Sequence, residues 1–588
     1  MRVKSICIVG GGSSGWMSAA LLSKNLPETK IILIESNTIK PIGVGESTLA
    51  EFNYYLNALG LEDKDWMPHC DATYKTSIAF KNFRDGDGER FHYPFGHFDL
   101  SGKESLEIFY LLQKKYGEEI YSPEEFARFV NKDVYLAEFN KISKTTPNPT
   151  FDFKFNIAYH LNANKFGEFL KNKFAIPNGV TIINADLNTI KLDDQGYIDY
   201  IIADNKLVKA DLFLDCTGFK SLLLENSVNS EFISFEDQLP NNSALVSHIP
   251  YTNKETEMKN YTDCVAMNYG WSWNIPLWSD IGVGYVYSDK FVDDKEVESE
   301  FKKFLNIDCD LRKINIKHGK HKKAWLKNVI GIGLSYAFIE PLESTGLLTT
   351  HQNLLVLSNI LKDRKVINKF DIDFFNQKTD NYINVMKNFV VLHWILSSRD
   401  DNEYWNFCRE KIDYRGDIFN VMESLLNKKT DNVGFTYIMA GMNYKLQFPI
   451  IDDYSYYYGD KCNHIHDGYM QEKKYMLQWI EDQQSHYHFL CDNVYGSKYY
   501  TYLYNYIGTY PVVNTKTGEQ KEVMMSITEW DQWCKDNPDW LRDYSDPSTM
   551  PGVGEVGEWK DKLRKSKPGW NDVLKKASKS PGSRVKTL

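Results

Sequence analysis

Gly270-Trp271-Ser272-Trp273-Asn274-Ile275-Pro276 holds the residues with the clearest capacity to shape a reaction site. Two tryptophans two positions apart place both indoles on one face of an extended segment, because strand side chains alternate between faces. Pro276 removes a backbone donor and fixes φ, so the segment is expected to stop or turn there. Paired aromatics on a stiff backbone suit a wall or a stacking surface, and a buried ridge in an ordinary core satisfies the same pattern. A second signature is Gly10-Gly11-Gly12-Ser13-Ser14-Gly15. It fits G-x-G-x-x-G, in which Gly10, Gly12 and Gly15 permit a tight turn and close backbone approach to a pyrophosphate at a helix N-terminus. Cys462-Asn463-His464-Ile465-His466, with His486, His488 and Cys491, has the composition of a zinc site. Alternating His on a strand and ordinary packing explain that cluster as well, and no metal is assigned.

The elements that would position these residues follow from apolar periodicity. Ile6-Cys7-Ile8-Val9 reads as a buried parallel strand, and Trp16 to Leu22 has helical character. A second run, Ile31 to Ile34, ends at Glu35, where an acidic residue meets a ribose hydroxyl. Strand, glycines, helix, strand and terminal Glu in register predict dinucleotide binding. Leu212-Phe213-Leu214-Asp215-Cys216-Thr217-Gly218 resembles the strand that closes on the dinucleotide in FAD-dependent monooxygenase-type folds, which adds Asp215 and Gly218 to the cofactor site. Val329 to Ser335 ends in small residues where Gly333 would let the backbone approach an isoalloxazine or ribityl chain. Each is also compatible with a buried strand and a Gly turn. Their order favours FAD over NAD.

At 588 residues the chain is long enough for two or three cores. A net charge of −10 argues against general nucleic-acid binding. Nine cysteines without a paired framework point to a reducing compartment. The N-terminus enters a strand at once and no apolar run has membrane-spanning length, so the expected setting is cytoplasmic, with no membrane partner. Strands are expected over 178–218, with Asp194-Gln195-Gly196 as a hairpin turn, and helices from Leu347 to Asn427. Residues 446–545 read as irregular helices covering the core. The fold class is α/β: a Rossmann-type FAD-binding module of the flavin monooxygenase kind with interleaved β-sheet, and a mainly helical C-terminal covering region. The expected divisions are 1–345, 346–558, and a basic, mobile tail at 559–588. Oligomeric state is not legible.

With these motifs on the page, the chain resembles the flavin-dependent halogenases of the tryptophan-halogenase type. The resemblance adds Ile42-Gly43-Val44-Gly45-Glu46-Ser47-Thr48, Trp66-Met67-Pro68, Glu340-Pro341-Leu342-Glu343-Ser344-Thr345-Gly346 and Arg399-Asp400-Asp401-Asn402-Glu403-Tyr404-Trp405, in the family's order over residues 1–410. It implies that reduced FAD from a separate flavin reductase, with oxygen and a halide ion, generates hypohalous acid that travels through a tunnel to a small aromatic substrate. Trp271, Trp273 and Pro276 would form the barrier between flavin and substrate. Thr345 and Gly346 match positions near the halide, where backbone N–H groups hold an anion. Glu343 matches the carboxylate that helps deprotonate the halogenated ring, with Ser344 in support.

The family's essential lysine falls, by the register of Tyr74 to Phe83, at position 79, which is alanine. Period-two alternation puts Ala79 in a row with Lys75, Ser77 and Lys81. Three readings stand: a deliberate Lys-to-Ala replacement, takeover by Lys75 or Lys81, and a naturally inactive relative. Phe91, Tyr93 and Phe95 form another period-two row, near where the family sandwiches its substrate; Tyr93 and Phe95 are the substrate candidates, and a core stripe is the alternative. The Tyr-bearing segment that grips free tryptophan should precede Phe435, and no counterpart is found. A site open to varied electron-rich aromatics is expected. An aromatic-ring monooxygenase and a silent FAD-binding protein remain the alternatives.

Overall fold

The structure, a computed structural model, describes residues 2–542 apart from 39–42, 44, 87, 97–101, 365, 411, 413–432, 446–450, 497–507, 526–532 and 534–535. The first apolar run forms the strand Ser5–Val9, flanked in parallel by Leu212–Asp215 and Lys30–Glu35. The six-stranded sheet continues to Thr181–Asn184 on one side, and to Val329–Gly331 and Trp325–Leu326 on the other. Its middle strands are apolar at nearly every position because both faces are covered, which is why they read as continuous runs. Gly10 has φ +117°, and a Cβ there would lie 2.2 Å from the Cys216 carbonyl oxygen. Only glycine allows that turn, after which helix Ser13–Asn25 runs back along the sheet. The hairpin turn at 194–196 joins Leu187–Leu192 to Ile198–Ala203, as expected.

A seven-stranded sheet follows the order Arg312–Asn315, Ser243–Ile249, Ile281–Tyr287, Gly270–Pro276, Tyr261–Met267, Ser77–Lys81 and Arg90–Pro94. A small sheet pairs Ala158–Leu161 with both Glu46–Ser47 and Thr73–Lys75. Residues 73–81 therefore belong to two sheets. The chain leaves the small sheet after Lys75, and Thr76 donates its N–H to the Asn260 carbonyl before Ser77 joins the large one. Helices Thr345–Asp363 and Lys369–Ile395 follow.

The described chain divides into two compact units, Met1–Tyr251 with Glu255–Phe489, and Thr252–Lys254 with Leu490–Leu588. The expected division at 345 lies inside the larger unit. Irregular helices were expected over 446–545. The structure instead has the long helix Ile451–Glu481, the short helical segments His486–Leu490 and Cys491–Tyr495, and a three-stranded sheet of Gly508–Asn514, Gln520–Met525 and Trp540–Arg542. The reason is local: the β-branched pair Val512-Val513 precedes Thr515-Lys516-Thr517-Gly518, and Gly518 at φ +72° supplies the hairpin turn. The expected tail at 559–588 lies outside the described residues. Among the described residues, no helix is long and apolar enough to cross a membrane.

Candidate functional site

A cavity of about 790 Å³ runs from Gly10–Ser14 and Glu35, past Thr217 and Gly218, to Trp271, Trp273, Ser344 and Gly346. That volume lies within the usual range for small-molecule and cofactor sites. A Cβ on Gly12 or Gly218 would meet nothing within 4 Å, so both backbones open directly onto this space. Glu35 lines it with Lys171 Nζ 3.3 Å from its carboxylate. A glycine cradle, a helix N-terminus and a carboxylate at the second strand end fit a bound FAD.

Three expected cofactor residues act behind this lining. Asp215 is fully buried and accepts from Thr217 N (3.0 Å), Thr217 Oγ1 (2.7 Å), Leu223 N (2.7 Å) and Leu224 N (2.8 Å). Its carboxylate is consumed in holding the loop that presents Thr217 and Gly218, a correction to its expected direct contact. Gly15 packs the helix onto the turn, where a Cβ would lie 1.9 Å from the Gly10 oxygen. Gly333, at φ +67°, abuts Ser14 Oγ, and it is the adjacent Leu334 that lines the cavity.

The tryptophan strand pairs with Tyr261–Met267 on one side and Ile281–Tyr287 on the other. Trp271 and Trp273 share one face, with ring centroids 5.8 Å apart. Trp271 Nε1 donates to Glu340 Oε2 at 2.7 Å, and Asn241 Nδ2 donates to the same oxygen at 2.8 Å. Burial pushes the Glu340 carboxyl up to about 7. Trp273 lies over Gly284, where a Cβ would sit 2.1 Å from the indole. Pro276 ends the strand; its carbonyl accepts from Thr73 Oγ1, and its neighbour Ile275 lines the cavity.

Beyond the tryptophans lies a buried polar cluster. Lys75 is fully buried and its Nζ donates to Ser344 Oγ at 2.6 Å and to the Thr48 carbonyl at 2.8 Å. Its ammonium lies 5.0 Å from the centre of the Phe95 ring. Burial pulls the Lys75 amine down to about 7, against opposing pulls from Cys264, Glu343 and Glu51. Glu343 is fully buried, with His393 Nε2 2.9 Å from its Oε1. Burial raises its pKa, countered by His393 and Lys75. Among the described residues neither Glu343 oxygen has an aligned hydrogen bond, so the carboxylate keeps capacity to accept a proton. Tyr93 reaches this region, its ring 6.2 Å from Phe95 and 5.7 Å from Phe389. Phe91 instead packs against Phe80 in a tilted arrangement, with ring centroids 5.3 Å apart.

Ala79 is not part of this cluster. It packs with Ala137 and Tyr261, while its neighbour Phe80 faces His393 at 4.6 Å. The single alternating row expected from Lys75 to Lys81 is thus broken. The change of sheet at Thr76 inverts the parity, so Lys75 faces Ser344 and Ala79 faces away. Ser344, in the left-handed conformation at φ 58°, ends the turn before helix Thr345–Asp363 and accepts from Lys75 with its hydroxyl oxygen. Gly346, in the helix's first turn, faces Glu46, whose carboxyl burial pushes up to about 7. His464 and His466 lie on the long helix rather than a strand, and His466 stacks on Tyr116 at 3.8 Å. Cys491 falls in the second unit.

The sequence profile of the tryptophan halogenases matches residues 5–444. The chain belongs to that family. It is a flavin-dependent halogenase, an FAD-dependent enzyme that halogenates aromatic substrates. It is 31% identical over 431 residues to the tryptophan 6-halogenase of Streptomyces albogriseolus, covering 70% of this chain and 79% of that one. With the tryptophan 7-halogenase of Lentzea aerocolonigenes the identity is 29% over 428 residues, with the same coverage of 70% and 79%. Among solved structures, apo VirX1 is 41% identical with a TM-score of 0.79, covering 84% of this chain and 100% of that one. The flavin-dependent halogenase of Xanthomonas campestris gives 26%, a TM-score of 0.73, and coverage of 83% and 98%.

Sequence reasoning missed His393 and Glu340 as partners of Glu343 and Trp271. His393 stands in no motif and reaches Glu343 through long-range packing, whereas Glu340 opens the Glu340-to-Gly346 motif, and only its pairing with Trp271 depends on long-range packing.

Proposed function

We propose that this halogenase uses Lys75 and Glu343 to deliver the halogen of hypohalous acid to an electron-rich ring held beside Tyr93 and Phe95. Bound reduced FAD, with oxygen and halide, supplies the hypohalous acid. Lys75 donates a hydrogen bond to that acid and fixes where the halogen arrives, while Glu343 removes the ring proton. Trp271 and Trp273 hold the ring away from the flavin, and the first-turn N–H groups at Thr345 and Gly346 hold the halide. The observation that carries this reading is Lys75 Nζ, 2.6 Å from Ser344 Oγ and next to Glu343 in the same buried cluster. On this account alanine at 79 disables nothing.

A separate flavin reductase supplies the reduced cofactor, and the enzyme works in the cytoplasm. The described cysteines are free thiols, which supports a reducing compartment. The relatives from Streptomyces albogriseolus and Lentzea aerocolonigenes are tryptophan halogenases, whereas this site accepts varied electron-rich aromatics. The segment in question precedes Phe435, at 413–432, outside the described residues. Two measurements test the reading. Lys75→Ala abolishes halogenation while FAD binding is retained, and a panel of indoles and phenols yields halogenated products without a requirement for free tryptophan. An active Lys75→Ala enzyme overturns the first part, and strict tryptophan selectivity overturns the second.

A further inference from the structure

Lys75 stands at one end of a buried hydrogen-bonded chain that the chemistry above does not use. Lys75 Nζ lies 2.6 Å from Ser344 Oγ, which lies 3.0 Å from Ser47 Oγ. Ser47 Oγ lies 2.6 Å from Thr262 Oγ1, which lies 2.9 Å from His160 Nε2. The five residues come from the small sheet, the large sheet and the turn before helix Thr345–Asp363, and all are buried. Ser47, Thr262 and Ser344 also border the FAD cavity.

The far end fixes the direction of every bond. Thr73 Oγ1 spends its one proton on the Pro276 carbonyl at 2.6 Å, so it can only accept from His160 Nδ1 at 3.3 Å. Desolvation keeps the His160 imidazole neutral, reinforced by Lys75 and His486. With its proton on Nδ1, a neutral His160 leaves a lone pair on Nε2, which accepts from Thr262. Thr262 then accepts from Ser47, Ser47 from Ser344, and Ser344 from the Lys75 ammonium. Each hydroxyl donates one step further from the lysine.

We propose that Ser344, Ser47 and Thr262 form a proton wire between Lys75 and His160, which lets the lysine pass between ammonium and amine without water. This rests on the assignment of Lys75 as the functional lysine. In the forward step Lys75 gives a proton to Ser344 Oγ. Ser344 gives its own to Ser47, Ser47 to Thr262, and Thr262 to His160 Nε2. The products are a neutral amine and an imidazolium, with total charge unchanged. Every hydroxyl then points the opposite way, so the return step needs no reorientation. Glu343, Cys264 and Glu51 are the other titratable groups that face Lys75, and Lys75 and His486 those that face His160.

Two readings test the wire. In flavin-free protein, nitrogen NMR with labelled histidine, assigned with His160→Gln, finds His160 protonated on Nδ1 with a hydrogen-bonded Nε2. Thr262→Val moves the Nε2 signal to that of an unbonded nitrogen. In the holoenzyme, Thr262→Val and Ser47→Ala each lower the halogenation rate by about 10²-fold with KM for the aromatic unchanged, and Thr262→Ser keeps the rate. A proton on Nε2, or a wild-type rate and pH profile in Thr262→Val, overturns the wire. Failure of the Lys75 assignment is distinguishable, because Lys75→Ala would then remain active.

Discussion

Lys75 spends its side chain on Ser344 and the Thr48 carbonyl where it is fully buried, and that burial has a measurable thermodynamic signature. Its amine is pulled from the ordinary lysine value of 10.5 to about 7. Between those values the unfolded chain binds more protons than the folded one, so this residue makes stability rise with pH from about 7 to 10.5. Below about 7 both states are protonated and the cost of burying the ammonium is present in full. Lys75→Met is therefore expected to stabilise the protein at pH 6, with the gain shrinking towards pH 10, as read by denaturant melts across pH. Ala79→Lys has the opposite character. It pushes a long side chain into the packing of Ala137 and Tyr261 and costs about 1–3 kcal/mol from overpacking, seen as a lower Tm. Glu343→Gln keeps the shape but not the basicity, and is expected to lower the halogenation rate by about 10²–10⁴-fold. At this scale the sequence showed Glu343 and Ser344 through their motif, but not which lysine meets them. Alternation assigns faces only while a chain stays in one sheet, and residues 73–81 change sheets at Thr76.

The tryptophan strand owes its wall to its neighbours. Trp271 is tied to Glu340 and Trp273 is seated over Gly284. Gly284→Ala is expected to cost about 1–3 kcal/mol because its Cβ overlaps the indole, measured by thermal denaturation. The first strand, the glycine turn, the helix and the Trp strand were all legible, since each depends on periodicity or on glycine spacing within a few residues. Partners fixed by long-range pairing, such as Gly284 opposite Trp273, leave no local trace. The C-terminal sheet was missed for a different reason: aromatic-rich composition hid a hairpin whose turn signal, Thr515 to Gly518, was present.

Across the whole molecule, one cavity joins the dinucleotide cradle to the tryptophan wall and to Ser344, and this continuity links flavin chemistry to the lysine. Added FAD is expected to raise the Tm of wild type, Lys75→Ala and Glu343→Gln alike, because none of these side chains forms the Gly10–Ser14 cradle. The family and the α/β class were readable from motif order, whereas the meeting of Lys75, Glu343 and His393 required three distant segments to pack together. The most direct test of the account is halogenated product formed by wild type, Lys75→Ala and Ala79→Lys, assayed with reduced FAD, oxygen and halide. The account predicts product from wild type, none from Lys75→Ala, and no gain from Ala79→Lys. An inactive wild type awakened by Ala79→Lys would contradict it.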